Sequence, residues 1–193
     1  MRSHLVLSRL VLSLGISVLA AMLAVSSTVA EEGVLVASVA PDGARVALRT
    51  ARFETVADAA RVASGGRIEL PRTATMSDLV EVLQTFDLTD SDSGSSFLPM
   101  STIIGIDWDG SGFSGSSFIW SAPNASGCAD GSVFTANSMP SGWNNRVSSA
   151  QAFGGCDEYR HYDLTGQSGS SINCTCSSMG FMDDRTSSER WAP

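Results

Sequence analysis

The sequence predicts an all-β sandwich or barrel preceded by a small α+β segment, and three observations carry that expectation. From Phe97 onward the composition shifts to serine, glycine, aromatics and short β-branched runs. Turn signals recur there every few residues, and no apolar pattern sustains a helix of more than two turns. The preceding stretch differs in kind: residues 31 to 98 hold no cysteine, tryptophan or tyrosine and carry two helical stripes.

Residues 1 to 30 are expected to lie outside the fold. Arg2, His4 and Arg9 give a positive start, Leu10 to Val25 is an almost unbroken apolar run, and Thr28-Val29-Ala30 places small residues before Glu31. This pattern reads as a secretory signal peptide, since the run is short for a bilayer span of about 20 residues. The expected product is secreted, with no membrane association after cleavage. Without this leader the chain keeps 10 arginines against 20 acidic residues, so a polyanion such as nucleic acid is excluded as a partner. All 4 cysteines lie beyond residue 127, an even count in an exported chain, and they predict two disulfides with three connectivities open.

Within residues 31 to 88, Val34 and Val36, then Val46 and Leu48, flank the turn sequence Pro41-Asp42-Gly43 and predict a hairpin. Phe53, Val56, Ala57, Ala60 and Ala63 come next at helical spacing, and Ser64-Gly65-Gly66 stops them. Arg67 to Leu70 is expected to be a short strand ended by Pro71. Thr75 with Asp78 three residues on resembles a capping box, and Leu79, Val80, Leu83 and Phe86 form the stripe of a second helix. Some 55 residues without a disulfide make a marginal core. The segment is therefore an independent small domain, a propeptide or a piece that packs on the later domain. Residues 89 to 96 are polar and free of apolar anchors, and 89 to 97 read as the linker.

Residues 98 to 193 form the β-rich domain. Its expected strands include Ile103 to Trp108, Ser116 to Trp120, Val133 to Ala136, Ser148 to Phe153, Glu158 to Tyr162, Ser170 to Thr175 and Ser187 to Trp191.

Two hexamers in this half repeat the form [N/D]-[N/D]-x-x-[S/T]-S. They are Asn144-Asn145-Arg146-Val147-Ser148-Ser149 and Asp183-Asp184-Arg185-Thr186-Ser187-Ser188. Each offers side-chain oxygens at positions one, two, five and six, the hard ligands that Ca²⁺ takes. A single hexamer reads as an ordinary turn that caps its own backbone, but here whole units repeat. Upstream of the first runs Trp108-Asp109-Gly110-Ser111-Gly112-Phe113-Ser114-Gly115, an aromatic, four residues, an aromatic, one residue and glycine. Upstream of the second, Tyr159-Arg160-His161-Tyr162-Asp163-Leu164-Thr165-Gly166 has the same spacing, with Leu164 for the second aromatic.

Together these motifs resemble the βγ-crystallin family over about residues 102 to 193. The resemblance implies eight strands in two Greek keys packed as a sandwich. It also implies two adjacent Ca²⁺ sites built by crossed hexamers. The metal set it implies is Asn144, Asn145, Arg146 and Ser148 with Asp183, Asp184, Arg185 and Ser187. Within that set the second-position side chains are Asn145 and Asp184, the hydroxyls are Ser148 and Ser187, and Arg146 and Arg185 lend backbone carbonyls. The four cysteines depart from the basic pattern and are similar to a secreted branch of the fold with metalloproteinase inhibitors and killer-toxin-like proteins. Met139-Pro140-Ser141-Gly142-Trp143 and Gly155-Cys156 look like that branch, which gives an alternative function as a proteinase inhibitor with an extracellular protease as partner, and a further one as a toxin-like interaction module.

The remaining residues carry less. Trp108, Trp120, Trp143 and Trp191 lie in or beside expected strands and read as packing. His161 is the one histidine after the leader, which leaves no His-rich cluster and no Ser-His-Asp arrangement. It reads as a strand position without special chemistry. Cys174-Thr175-Cys176 is too closely spaced for the usual zinc pair, and the two cysteines are expected to serve two separate disulfides. Asp109, Asp157, Glu158 and Asp163 show no catalytic spacing and read as an acidic rim around the cation sites. The expectation is a non-enzymatic protein.

Overall fold

The computed structural model describes residues 33–42, 48–89 and 101–193. The leader, most of the expected linker, and Gly43 and Val46 of the expected hairpin lie outside the described residues. No described helix is long and apolar enough to cross a membrane.

Two sheets form the body. The larger is ordered β2-β1-β4-β3-β6 and the smaller β5-β9-β7-β8. In chain order the strands are β1 (Val34–Ser38), β2 (Arg49–Phe53), β3 (Thr102–Gly110), β4 (Ser114–Ala122), β5 (Phe134–Ala136), β6 (Ser149–Ala152), β7 (Glu158–Leu164), β8 (Ser168–Asn173) and β9 (Ser188–Ala192). All seven strands expected after residue 98 form, with ends displaced by a residue or two. Period-two alternation sets their faces: in β4, Phe118 and Trp120 turn toward the smaller sheet, while Ile119 between them turns away.

The chain makes two hairpins, β3-β4 and β7-β8, each paired through its first strand with a later strand, β6 and β9. The third segments are exchanged. β5 leaves the first hairpin's sheet to pair with β9, and Cys176 forms an isolated bridge with Ala150 of β6. Between the sheets lie Phe118, Trp120, Phe134, Trp143, Tyr159 and Trp191, all buried. The four tryptophans are buried, as expected for packing residues, three of them in strands and Trp143 in the turn before β6.

Helices α1 (Val56–Ala63) and α2 (Met76–Thr89) cover the other face of the larger sheet. Ala59, Ala60 and Ala63 pack with Leu79, Leu83, Ile103, Ile106 and Trp108 in this second core. Thr55 caps α1 by accepting from the Asp58 N–H at 3.1 Å. The expected capping box opens α2: the Asp78 carboxylate accepts from the Thr75 N–H at 2.7 Å, and the Thr75 hydroxyl accepts from the Asp78 N–H at 3.3 Å.

Three expectations for this segment are corrected. Phe53 belongs to β2 and not to the helix, because β2 pairs with β1 from Arg49 to Phe53. The partner strand of β1 begins at Arg49, one residue beyond the expected Leu48. Residues 67–70 are not a strand. Ile68 is instead drawn under α1, where its N–H donates to Ser64 Oγ at 3.0 Å.

Of the three roles open to residues 31 to 88, the structure displays packing on the later half. β1 runs parallel to β4, with Leu35 opposite Phe118 and Ala37 opposite Trp120. Just beyond β1, the Asp42 N–H donates to the Val133 carbonyl at 2.8 Å and Pro41 bridges to Phe134, so this segment touches both sheets.

Candidate functional site

The hexamers lie side by side and cross. Asn145 and Asp184 take the left-handed backbone conformation, φ 58° and 53°, which asparagine and aspartate tolerate better than most residues. That turn aims each backbone N–H at the other hexamer: Asn145 N–H donates to the Thr186 carbonyl at 2.9 Å and Asp184 N–H to the Val147 carbonyl at 3.1 Å. Side chains repeat the exchange. Ser187 Oγ donates to Asn145 Oδ1 at 3.1 Å, and Ser148 Oγ lies 3.5 Å from Asp184 Oδ1. The two hydroxyls are buried and their partners exposed, while Asn144 and Asp183 stand exposed one residue earlier.

The hexamers are also braced from the hairpins. Arg146 ion-pairs with Asp109 at 2.5 Å, and Arg185 with Asp163 at 2.7 Å. The other oxygen of each carboxylate accepts an N–H from across its hairpin, from Ser116 and from Ser170, both at 2.7 Å. Gly115 and Gly169 both sit at φ +80°, where an added Cβ would overlap the Asp109 and Asp163 carboxylates. Asp109 and Asp163 thus hold the arginines that come directly after Asn145 and Asp184, a more specific task than the expected acidic rim.

These matches move the repeat register. Asp109, Gly112, Ser114 and Gly115 correspond to Asp163, Gly166, Ser168 and Gly169, so Trp108 corresponds to Tyr162 and Phe113 to Gln167. The expected alignment of Trp108 with Tyr159 is three residues out. It rests on the aromatic spacing, whereas the hairpin is specified by the aspartate and the glycines.

Both disulfides are formed, Cys128–Cys156 and Cys174–Cys176. The second overturns the expectation that Cys174 and Cys176 serve separate bridges. On a strand, residues two apart share a face rather than opposing each other, and β8 ends at Asn173, so these cysteines lie past the strand, where the chain brings them together. The Met139 to Trp143 stretch buries Met139, Pro140 and Trp143 and leaves Ser141 and Gly142 exposed.

A second polar group, which the sequence does not announce, lies between the sheets. Asp107, His161 and Glu189 are fully buried, with one ligand atom of each within 4.8 Å of the others. His161 Nδ1 is 2.9 Å from Glu189 Oε1. The Tyr159 hydroxyl is 2.8 Å from Asp107 Oδ2 and 3.2 Å from Glu189 Oε2, and Trp120 Nε1 donates to Asp107 Oδ2 at 2.9 Å. Burial, with the Glu189 charge beside it, holds the Asp107 carboxyl well above its usual range. Burial pushes Glu189 up to about 8, against the hydrogen bonds it receives. It pushes His161 down to about 4, against the neighbouring Asp107 charge. The available signal is alternation: Asp107 and Glu189 occupy the inward positions of β3 and β9, in line with Trp191 on β9, where a charged residue is out of place unless paired or metal-bound.

Comparison of the chain with protein-family models, with curated proteins and with solved structures finds no match.

Proposed function

We propose that the chain is a secreted, non-enzymatic Ca²⁺-binding protein built as a βγ-crystallin-like pair of Greek keys. The observation that carries the reading is the crossed contact of Ser187 with Asn145 and of Ser148 with Asp184. In a crossed pair, each hydroxyl meets the second-position oxygen of the other hexamer. The exchange of β5 and of Cys176 between sheets supports the Greek-key reading, because each unit then gives its third segment to its neighbour.

The residues suit the ion. Asn145 and Asp184 supply exposed oxygens, Ser148 and Ser187 supply hydroxyls, and Arg146 and Arg185 supply carbonyls on backbone already pinned by their guanidinium groups. All are hard oxygen donors, and water fills the remaining positions of a six- to eight-coordinate shell of the usual kind. Two disulfides agree with export into an oxidising compartment.

Calorimetric titration of the oxidised chain with Ca²⁺ tests the reading. The expected result is saturable binding at two sites, with a melting temperature raised by Ca²⁺ and lowered by EDTA. A melting curve that neither condition moves overturns it.

A further inference from the structure

We propose that Asp107, His161 and Glu189 form a structural site for one divalent first-row transition metal, zinc by preference, clamped between the two sheets. This site is separate from the hexamers and independent of their Ca²⁺ reading. The argument begins with the histidine. Its Nε2 lies 3.3 Å from the Cys174 carbonyl oxygen, which can only accept, so in the neutral ring that nitrogen holds the proton. Nδ1 then presents a lone pair to Glu189 Oε1 at 2.9 Å. Two lone pairs at that distance need either a proton or a metal ion between them.

The carboxylates have the same need. One Tyr159 proton faces oxygens of both Asp107 and Glu189 and can serve only one at a time. Asp107 Oδ1 is buried without any partner. The arginine ion pairs of this half go to Asp109, Asp163 and Glu158, so they do not offset the buried pair. One M²⁺ balances both carboxylates.

The surroundings match the outer shell of a metal centre, where each ligand is oriented by a hydrogen bond on its far side. The Cys174 carbonyl holds the far nitrogen of His161, Trp120 and Tyr159 hold the Oδ2 of Asp107, and Tyr159 reaches the Oε2 of Glu189. That leaves His161 Nδ1, Glu189 Oε1 and Asp107 Oδ1 as the donor set. One imidazole with two carboxylates suits Zn²⁺ and its first-row neighbours, whereas an all-oxygen shell suits Ca²⁺. β3 supplies Asp107, while β7 and β9 supply His161 and Glu189, so the ion would tie one sheet to the other. Because the site is fully buried, metal enters as the chain folds.

The test refolds the full oxidised chain with excess Ca²⁺ and either Zn²⁺ or Co²⁺, removes loose metal by gel filtration, and measures metal content and melting temperature. About one tightly held Zn²⁺ per chain is expected, with a raised melting temperature; the Co²⁺ form should show the visible bands of a low-coordinate ion. His161→Gln and Glu189→Gln should lose that metal. Trp120→Phe, which touches no metal, should weaken it by about 10- to 100-fold. Should the first two variants fail to fold, the parent chain and Trp120→Phe still decide. A parent that retains no metal and melts identically with and without Zn²⁺ overturns the proposal and leaves protons as the balancing cations. Equal retention by a folded His161→Gln overturns it too, because the metal is then bound elsewhere.

Discussion

The two halves of the sandwich, residues 102–152 and 158–192, share a backbone plan but not their side-chain surroundings. Their hairpin turns agree closely: Phe113 and Gln167 both take a left-handed φ, at 59° and 54°. Ser149 Oγ donates to the Gly110 carbonyl at 2.7 Å, and Ser188 Oγ to the Leu164 carbonyl at 2.6 Å. Yet the first hairpin presents Trp108 and Phe113 where the second presents Tyr162 and Gln167. Hydrogen bonds to backbone define the motif, and the aromatics are replaceable coverings. The halves also differ in what covers them: helices bury the outer face of the first sheet, while most of β8 is exposed.

The disulfides offer the largest contrast. Cys128–Cys156 closes a loop with a sequence separation of 28, against 2 for Cys174–Cys176. On a chain-entropy basis the longer loop contributes about 3.5 kcal/mol and the shorter about 1.5 kcal/mol. Replacing Cys128 and Cys156 together by alanine should lower the urea midpoint roughly twice as far as replacing Cys174 and Cys176. Equal losses would show that the short bridge acts through the folded state.

Next come the matched glycines. Gly115→Ala and Gly169→Ala should each cost about 1 to 3 kcal/mol, because both force a Cβ into a left-handed backbone and onto an aspartate. Similar losses in thermal melts would establish that the two hairpins bear strain alike. A neutral result at Gly169 alone would mean that the more exposed hairpin can yield.

The hexamers are matched in geometry but not in charge. Asp184 is a carboxylate and Asn145 an amide, so the site that takes Asn145 should be the weaker for Ca²⁺. Asn145→Asp should tighten it by about tenfold, roughly 1.4 kcal/mol, and Asp184→Asn should weaken the other. Calorimetry returning two equal sites in the parent would break the crossed assignment.

The smallest expected effect is at the hairpin tip. Phe113 is 41% exposed and meets Trp108 edge-on at 5.2 Å. Phe113→Gln should cost about 0.5 to 1.5 kcal/mol by thermal melting and leave Ca²⁺ affinity unchanged. A larger loss would mean that the aromatic, and not the backbone, sets the turn.

Much of this plan is legible in the sequence because it is local. Alternation marks seven strands, Thr75 and Asp78 mark a helix start, and the hexamers mark the crossing loops. What escapes is set by distant partners. Nothing near Arg67 to Leu70 reveals that Ile68 is drawn under a helix, and nothing near Val34 reveals that β1 lies against β4. His161 looks ordinary in the sequence because its partners are remote along the chain: Glu189 meets it only when β9 pairs with β7, and Asp107 only when the two sheets close. The Tyr159 register fails for a different reason. Two tyrosines three residues apart both offer an aromatic start, and only the Asp163 and Gly169 contacts choose between them.

The parallel pairing of β1 with β4 also sets an order of assembly. Leu35 finds Phe118 roughly 80 residues downstream, whereas β3 and β4 are joined by a tight turn. The hairpin is therefore available early, and the first strand described is among the last to be seated. Until then one edge of β4 stands open, a row of unpaired backbone groups of the kind that recruits strands from other chains. β1 then acts as a closing seam for the sheet, and the concentration at which the chain refolds cleanly should be governed by how quickly that seam shuts.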